Sequence, residues 1–336
     1  MIKGGRIIYL DIVRVMACAM IILMHSPFKD VDHSSIVVST ISYMTGPAIG
    51  LFFMVSGALL LDNKLTARQF LKRRFSKIAI PTLVFSLIDV FAAVYRGNIE
   101  LALVPRMILS MPITAQGWYG TIWFMYTLAG LYLLTPILSR WVQKASKREI
   151  EFYLLLWIIT LVFPLLESFI NLDSSQNSLL YHFHGAVGYY ILGYYINKRF
   201  IFSHRTKLVL FLIAVFCVAT PIACKYLCPG IDFYKHFWYY TLPCALQAVF
   251  WFLLAKKVSD KVHKPHPILV MTSNYAFGIY LVHIFIMRDL IRNISFFHQI
   301  HGLLQISSTT VLTFALSWLF CYLISKTKVS KYIIGY

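Results

Sequence analysis

Acidic residues are scarce in this chain. Of 336 residues only 13 are Asp or Glu, against 31 Lys or Arg, and charged residues together make up 13%. A soluble domain carries about 25% charged residues, so there is too little charge here to cover a water-facing surface. Cysteine is sparse as well: Cys18, Cys217, Cys224, Cys228, Cys244 and Cys321 lie mostly inside apolar runs, with no CxxC pair and no spacing of a secreted disulfide scaffold. They read as small buried apolar residues; a Cys224–Cys228 bridge, one helical turn apart, would be strained. No HExxH pattern is present, and His182 and His184, two residues apart, fall on different helix faces, so no metal is expected. Low-complexity tracts are missing, as is any repeat that would support an inverted-repeat transporter fold.

What is present is apolar: 59% of the residues are hydrophobic and 16% aromatic. At about 20 residues per spanning helix, this composition specifies an all-α polytopic membrane protein, a bundle of about ten transmembrane helices with no soluble domain. The apolar runs fall at 7–27, 45–61, 78–95, 120–139, 151–168, 181–197, 207–224, 237–255, 267–287 and 303–325. The net charge of +18 would suggest nucleic acid for a soluble protein. In a multispan chain it reflects basic inner loops instead. With the N-terminus inside, only Lys29, Arg96, Arg106, Lys225, Lys235, Arg288 and Arg292 fall outside, Arg14 lies within the first span, and every other Lys and Arg is inside. That alternation predicts both termini in the cytoplasm. Asp11 and Arg14 interrupt the first apolar run and no small-residue cleavage site follows, so the run reads as a retained span and not a cleaved signal. The stretch from Gly97 to Tyr119, broken by Pro105, Pro112 and Gly117, is expected to lie at the outer interface with Trp118 and Tyr119 at headgroup level.

Ionisable residues inside such spans cost about 2.5–3.5 kcal/mol each at the helix centre. Asp11, Arg14 and His25 all stand in the first span. Asp11 and Arg14, at i,i+3, share a face where a carboxylate–guanidinium pair is the simplest compensation. Eleven residues on, His25 returns to within about 20° of the same face and about 16 Å further along the axis. The three line one stripe. The bland alternative is that Arg14 snorkels to the inner surface and His25 sits at the opposite headgroup layer. Elsewhere in the spans stand Asp89, His182, His184 and His283, with Ser56, Tyr126, Asn274 and Tyr280 as uncharged companions. A lone Tyr or Ser in a bundle more often bonds a neighbouring helix than does chemistry; His283, Ser56, Tyr126 and Asn274 are kept as substrate or pore candidates. His263 and His266 lie among Pro and Lys in an inner loop and read as solvated. The inner loop Leu65 to Lys77 carries Arg68, Lys72, Arg73, Arg74 and Lys77. It reads either as topology and attraction to anionic lipid, or as a phosphate clamp in which Arg74 offers a planar fork and Lys77 a point charge.

Several segments together resemble the acyltransferase 3 family of integral-membrane O-acyltransferases. YLDIVRVMACAMIILMH matches its first-span pattern through Arg14 and His25; GPAIGLFFMVSGALLL resembles its second span. KRRFSKIAIP is similar to its basic loop, although the usual Arg-x-x-Arg reads Arg74-Phe-Ser-Lys77 here. IWFMYTLAGLYLLTPIL (Ile122 to Leu138) and NYAFGIYLVHIFI (Asn274 to Ile286) resemble its fourth and a late span. The resemblance implies transfer of an acyl group, most often acetyl, from cytoplasmic acyl-CoA (acetyl-CoA) to a hydroxyl of a cell-surface carbohydrate or lipid-linked glycan at the inner membrane. Membrane lipids are the remaining partners; no nucleic acid is expected, and oligomeric state is open. A sugar hydroxyl is a poor nucleophile near neutral pH, and histidine is the natural residue to take its proton. His25 is therefore the expected general base or acyl relay, with Arg14 and Asp11 completing the catalytic set. Arg73, Arg74 and Lys77 are the expected donor contacts. A proton-coupled transporter or flippase using the same stripe, and a structural envelope partner, are the competing readings; acyl-CoA dependence separates them from an enzyme.

Overall fold

The computed structural model describes residues 6–28, 36–117, 119–167, 170, 177–199, 204–227, 236–262, 264–300 and 302–335. Every regular element among them is helical. The longer helices are α1 (Ile8–His25), α2 (Ile36–Thr45), α3 (Ala48–Leu60), α4 (Ser76–Tyr95), α5 (Val104–Ser110), α6 (Trp123–Lys144), α7 (Lys147–Leu166), α8 (Ala186–Lys198), α9 (His204–Leu227), α10 (Leu242–Ser259), α11 (Pro267–Phe285) and α12 (Gly302–Ser325).

Among the described residues, seven stretches are long and apolar enough to cross a membrane: Ile8–His25, Val37–Leu60, Ala67–Tyr95, Lys147–Leu166, Leu242–Ser259, Pro267–Asn293 and Gly302–Ser325. Helices α6, α8 and α9 occupy the other three expected runs without joining those seven. Helix α8 has 13 residues, about 20 Å against a hydrocarbon core of about 30 Å. Two of the seven begin well before the apolar runs that mark them: α2 continues through Gly46 and Pro47 into α3, and the basic loop is itself helical from Ala67. Long polar side chains keep their heads in water while the backbone stays helical, so a hydropathy run marks the apolar part of a helix and not its end.

On α12 burial is inverted relative to a soluble fold. Leu303, Leu304, Val311, Leu319 and Leu323 of α12 are exposed, whereas Gln305, Thr309, Thr313 and Ser317, every fourth residue, are buried. Small polar residues on the inner face of a helix whose outer face is leucine and valine are the pattern of a span packed through its polar side in lipid.

The chain divides into two compact units, Met1–Asn63 with Leu138–Ser273, and Lys64–Ile137 with Asn274–Tyr336. In the first, α3 and α8 pack almost backbone to backbone. A Cβ on Gly57 would come within 1.8 Å of the Tyr190 carbonyl oxygen, and one on Gly193 within 1.9 Å of that of Met54. Neither neighbour is a side chain that can move aside. Gly193→Val is accordingly expected to abolish a stable, monodisperse protein in detergent, while Gly130→Ala, with nothing within 4 Å of the added Cβ, should purify normally; size-exclusion chromatography checks the pair. The same unit is tied by Tyr9 Oη donating to Asn197 Oδ1 at 2.7 Å and Asn197 Nδ2 donating to the Ala58 carbonyl at 3.2 Å.

In the second unit, Thr66 opens the basic helix with a reciprocal capping box to Gln69. A π-helical turn, Leu71–Phe75, then carries Lys72, Arg73 and Arg74 into α4. Among the described residues, the stretch from Gly97 to Tyr119 holds a 3-10 turn, Leu101–Leu103, and the seven-residue α5. Val104 and Met111 bury against Val90, and Tyr126 Oη donates to the Met111 carbonyl at 2.6 Å. Trp118 lies outside the described residues, as do the side chains of Cys217, Cys224 and Cys228; Cys18, Cys244 and Cys321 are buried.

Candidate active site

Helix α1 runs unbroken through all three stripe residues and ends where Ser26 turns its hydroxyl back onto the Ile22 carbonyl at 2.7 Å, just before Pro27. Asp11 in its first turn suits the helix dipole. Asp11 is 4% exposed, and its partners are richer than an i,i+3 pair. Arg6 donates to both carboxylate oxygens, from Nε at 2.5 Å and Nη2 at 3.0 Å. Ser273 Oγ donates to Oδ1 at 2.6 Å. Arg14 stands 3.9 Å from the same Oδ1 and donates instead to Ser273 Oγ at 3.0 Å. Arg6, not Arg14, is therefore the principal counter-ion, and Ser273 links the carboxylate to the second guanidinium. Arg6 and Ser273 escaped the sequence reading because one precedes the helix and the other is a serine more than two hundred residues away.

His25 is half-buried at the far end of α1. The continuous helix holds it about 16 Å along the axis from Arg14, beyond direct contact between the two side chains. Ser56 lies half-buried on α3 of the same unit. A cavity of about 310 Å³ in this unit is lined by Trp141, Tyr153, Trp157, His182 and Phe183 among others, and by none of the expected site residues.

In the second unit Arg73, Arg74 and Lys77 are exposed around the π-turn and the start of α4, and form no ion pair among the described residues. His283 is completely buried on α11, with Nδ1 2.5 Å from the Tyr280 carbonyl oxygen. A ring nitrogen so close to a carbonyl carries the proton, which assigns the tautomer. Tyr126, besides its bond to Met111, lies 3.4 Å from Ser86 Oγ, and Asn274 is half-buried at the start of the unit's share of α11.

This unit also contains a cluster that the spacing of residues did not reveal. Buried Asp89 accepts from the Tyr119 backbone N–H at 3.2 Å. Gly117 (φ +147°) passes so close that a Cβ would lie 2.2 Å from Asp89 Oδ2. Tyr119 Oη donates to Asp289, which Arg96 holds at 2.6 Å, and the guanidinium carbons of Arg96 and Arg288 lie 5.1 and 4.9 Å from the Tyr119 ring centroid. Burial, and then the Asp289 carboxylate, push the Tyr119 phenol well above its usual range, so it remains a donor. Asp289 and Arg288 sit on the π-helical turn Ile286–Leu290. The cluster pins the broken segment before α6; Tyr280 Oη, donating to the Thr121 carbonyl at 2.6 Å, adds a further tie.

A family model described as an acyltransferase domain matches residues 7–322, from the start of α1 almost to the end of α12. The chain belongs to the acyltransferase 3 family. As a member of it, the protein is a membrane acyltransferase, and the stripe on α1, the basic loop and His283 all fall within the matched domain. No curated protein and no solved structure matches the chain.

Proposed function

We propose that this acyltransferase 3 member moves an acyl group, most often acetyl, from cytoplasmic acyl-CoA to a hydroxyl of a cell-surface carbohydrate or lipid-linked glycan, with both termini in the cytoplasm of an inner-membrane protein. The observation that carries the reading is the length of the α1 stripe: an ion-paired inner end at Asp11 and a histidine about 16 Å further along one unbroken helix. Acyl-CoA is an elongated donor, with phosphates at one end and the thioester at the tip of a long pantetheine arm. A site that keeps cationic groups at one depth and its base at another suits that shape. His25 takes the proton of the acceptor hydroxyl as it attacks the thioester carbonyl, and the thiolate leaves as CoA. The same histidine as a transient acyl carrier is the variant route. Arg14 belongs to the donor end of the stripe, because its distance from His25 removes it from the developing oxyanion. Arg73, Arg74 and Lys77 grip donor phosphates, with Arg74 as the fork and Lys77 as the point charge.

The test is acyl-CoA dependence. Purified protein in nanodiscs should bind CoA, and Arg74→Ala with Lys77→Ala should weaken that binding by about tenfold or more, as expected for loss of charge-assisted hydrogen bonds worth about 1.5–3 kcal/mol each. Arg74→Lys alone should also lose affinity if the guanidinium fork is used. Transport of a glycan without thioester consumption, or unchanged CoA affinity in the double variant, would sink the assignment.

A further inference from the structure

The segment Lys326–Gly335 lies beyond the residues matched to the family, 7–322. Its lysines Lys326, Lys328 and Lys331 are all exposed. The chain turns at Thr327, whose N–H donates to the Ile324 carbonyl at 2.9 Å, and the helical turn Ser330–Ile333 packs against α4. Two residues anchor it. Ile334 is 1% exposed and sits against Gly278, where a Cβ would come within 2.7 Å of its Cγ2. Gly335, at φ +68°, lays its backbone on the Lys77 carbonyl oxygen, which a Cβ there would approach to 2.7 Å. Pro81, four residues after Lys77, has no N–H to give that carbonyl, so the helix leaves a gap at the point where the tail docks. From Gly335 back to Lys331 is at most about 14 Å of chain. The docked turn therefore brings Lys331, with Lys328 three residues before it, to the end of α4 that carries Lys77 and follows Lys72, Arg73 and Arg74.

We propose that Lys328 and Lys331 form the second wall of a phosphate-binding surface whose first wall is the basic turn before α4. This rests on the donor reading above and extends it to residues outside the family domain. All six cations are exposed, none forms an ion pair among the described residues, and neither 64–81 nor 322–335 contains an acidic residue. Collecting like charges without a counter-charge costs self-repulsion, which a polyanion relieves. CoA carries a pyrophosphate and a separate ribose phosphate, so a two-walled surface suits it better than a single clamp. An anionic lipid headgroup offers the same phosphate chemistry from a different source.

The experiment uses the full chain in phosphatidylcholine nanodiscs, with CoA as the probe. Lys328→Gln with Lys331→Gln should weaken CoA binding by about tenfold, with the difference from wild type shrinking as salt is raised. Gly335→Ala, which displaces the docked tail without removing charge, should act in the same direction. Unchanged CoA affinity in the lysine double variant overturns the proposal. If that variant keeps its CoA affinity but loses a thermal stabilisation conferred by phosphatidylglycerol, the surface is a headgroup site and this inference falls. Arg74→Ala with Lys77→Ala is measured alongside. Loss there with none in the tail variant rejects this inference alone, and no loss in either rejects the donor reading itself.

Discussion

His25→Gln is expected to lower acyl transfer by about 10²–10⁴-fold, the usual contribution of a positioned proton acceptor, while CoA binding and expression stay near wild type. Glutamine keeps the size and one polar contact of the imidazole but cannot take a proton near neutral pH. A boundary histidine that merely sits among headgroups would tolerate this change, so the two readings differ by orders of magnitude. The measurement is incorporation of labelled acetyl from acetyl-CoA into a surface glycan acceptor. His25→Ala should behave in the same way. Well-expressed His25→Gln with robust transfer would reject the assignment and move attention to His283, whose Nδ1 is committed to the Tyr280 carbonyl.

Asp11→Ala is expected to be the most damaging single change at the other end of α1. Its carboxylate, 4% exposed, accepts from Arg6 and Ser273 and lies 3.9 Å from Arg14. Its removal leaves two guanidinium groups without their shared counter-charge. Both guanidinium groups keep part of their exposure, so stranding them costs about 1–3 kcal/mol, read as a fall in the midpoint of thermal unfolding in detergent. Ser273→Ala removes one neutral donor and should cost about 0.6 kcal/mol, the typical value for interhelical hydrogen bonds in membranes. Arg6→Ala combined with Asp11→Ala should cost less than the sum of the two single changes, because the second removal takes away a charge already stranded. Additive losses would mean that Arg6 and Asp11 are not coupled as their geometry requires.

Composition and the length of the apolar runs determined that this protein is helical and lives in a membrane. With 13% charged residues no other solvent is compatible with the chain, and the order of its motifs pointed to the acyltransferase family that the domain match then established. Local spacing also placed Asp11, Arg14 and His25 on one helix, because α-helical geometry relates residues at fixed separation whatever surrounds them. What spacing could not supply was the partner of Asp11: Ser273 comes from α11, and a contact across so many residues leaves no periodic trace in sequence. The cluster of Asp89, Arg96, Tyr119 and Asp289 was hidden for the same reason, each residue being unremarkable in its own segment. Helix ends were misread where polar or basic residues continue a helix past its apolar run, as at Ala67–Phe75, because hydropathy reports the solvent and hydrogen bonding decides the backbone. The docking of Gly335 on the Lys77 carbonyl was likewise decided only by the tertiary structure. Pro81 announces in sequence that a carbonyl will lack its helical donor, but which part of the chain lies against that carbonyl depends on how the end of α12 turns back toward α4.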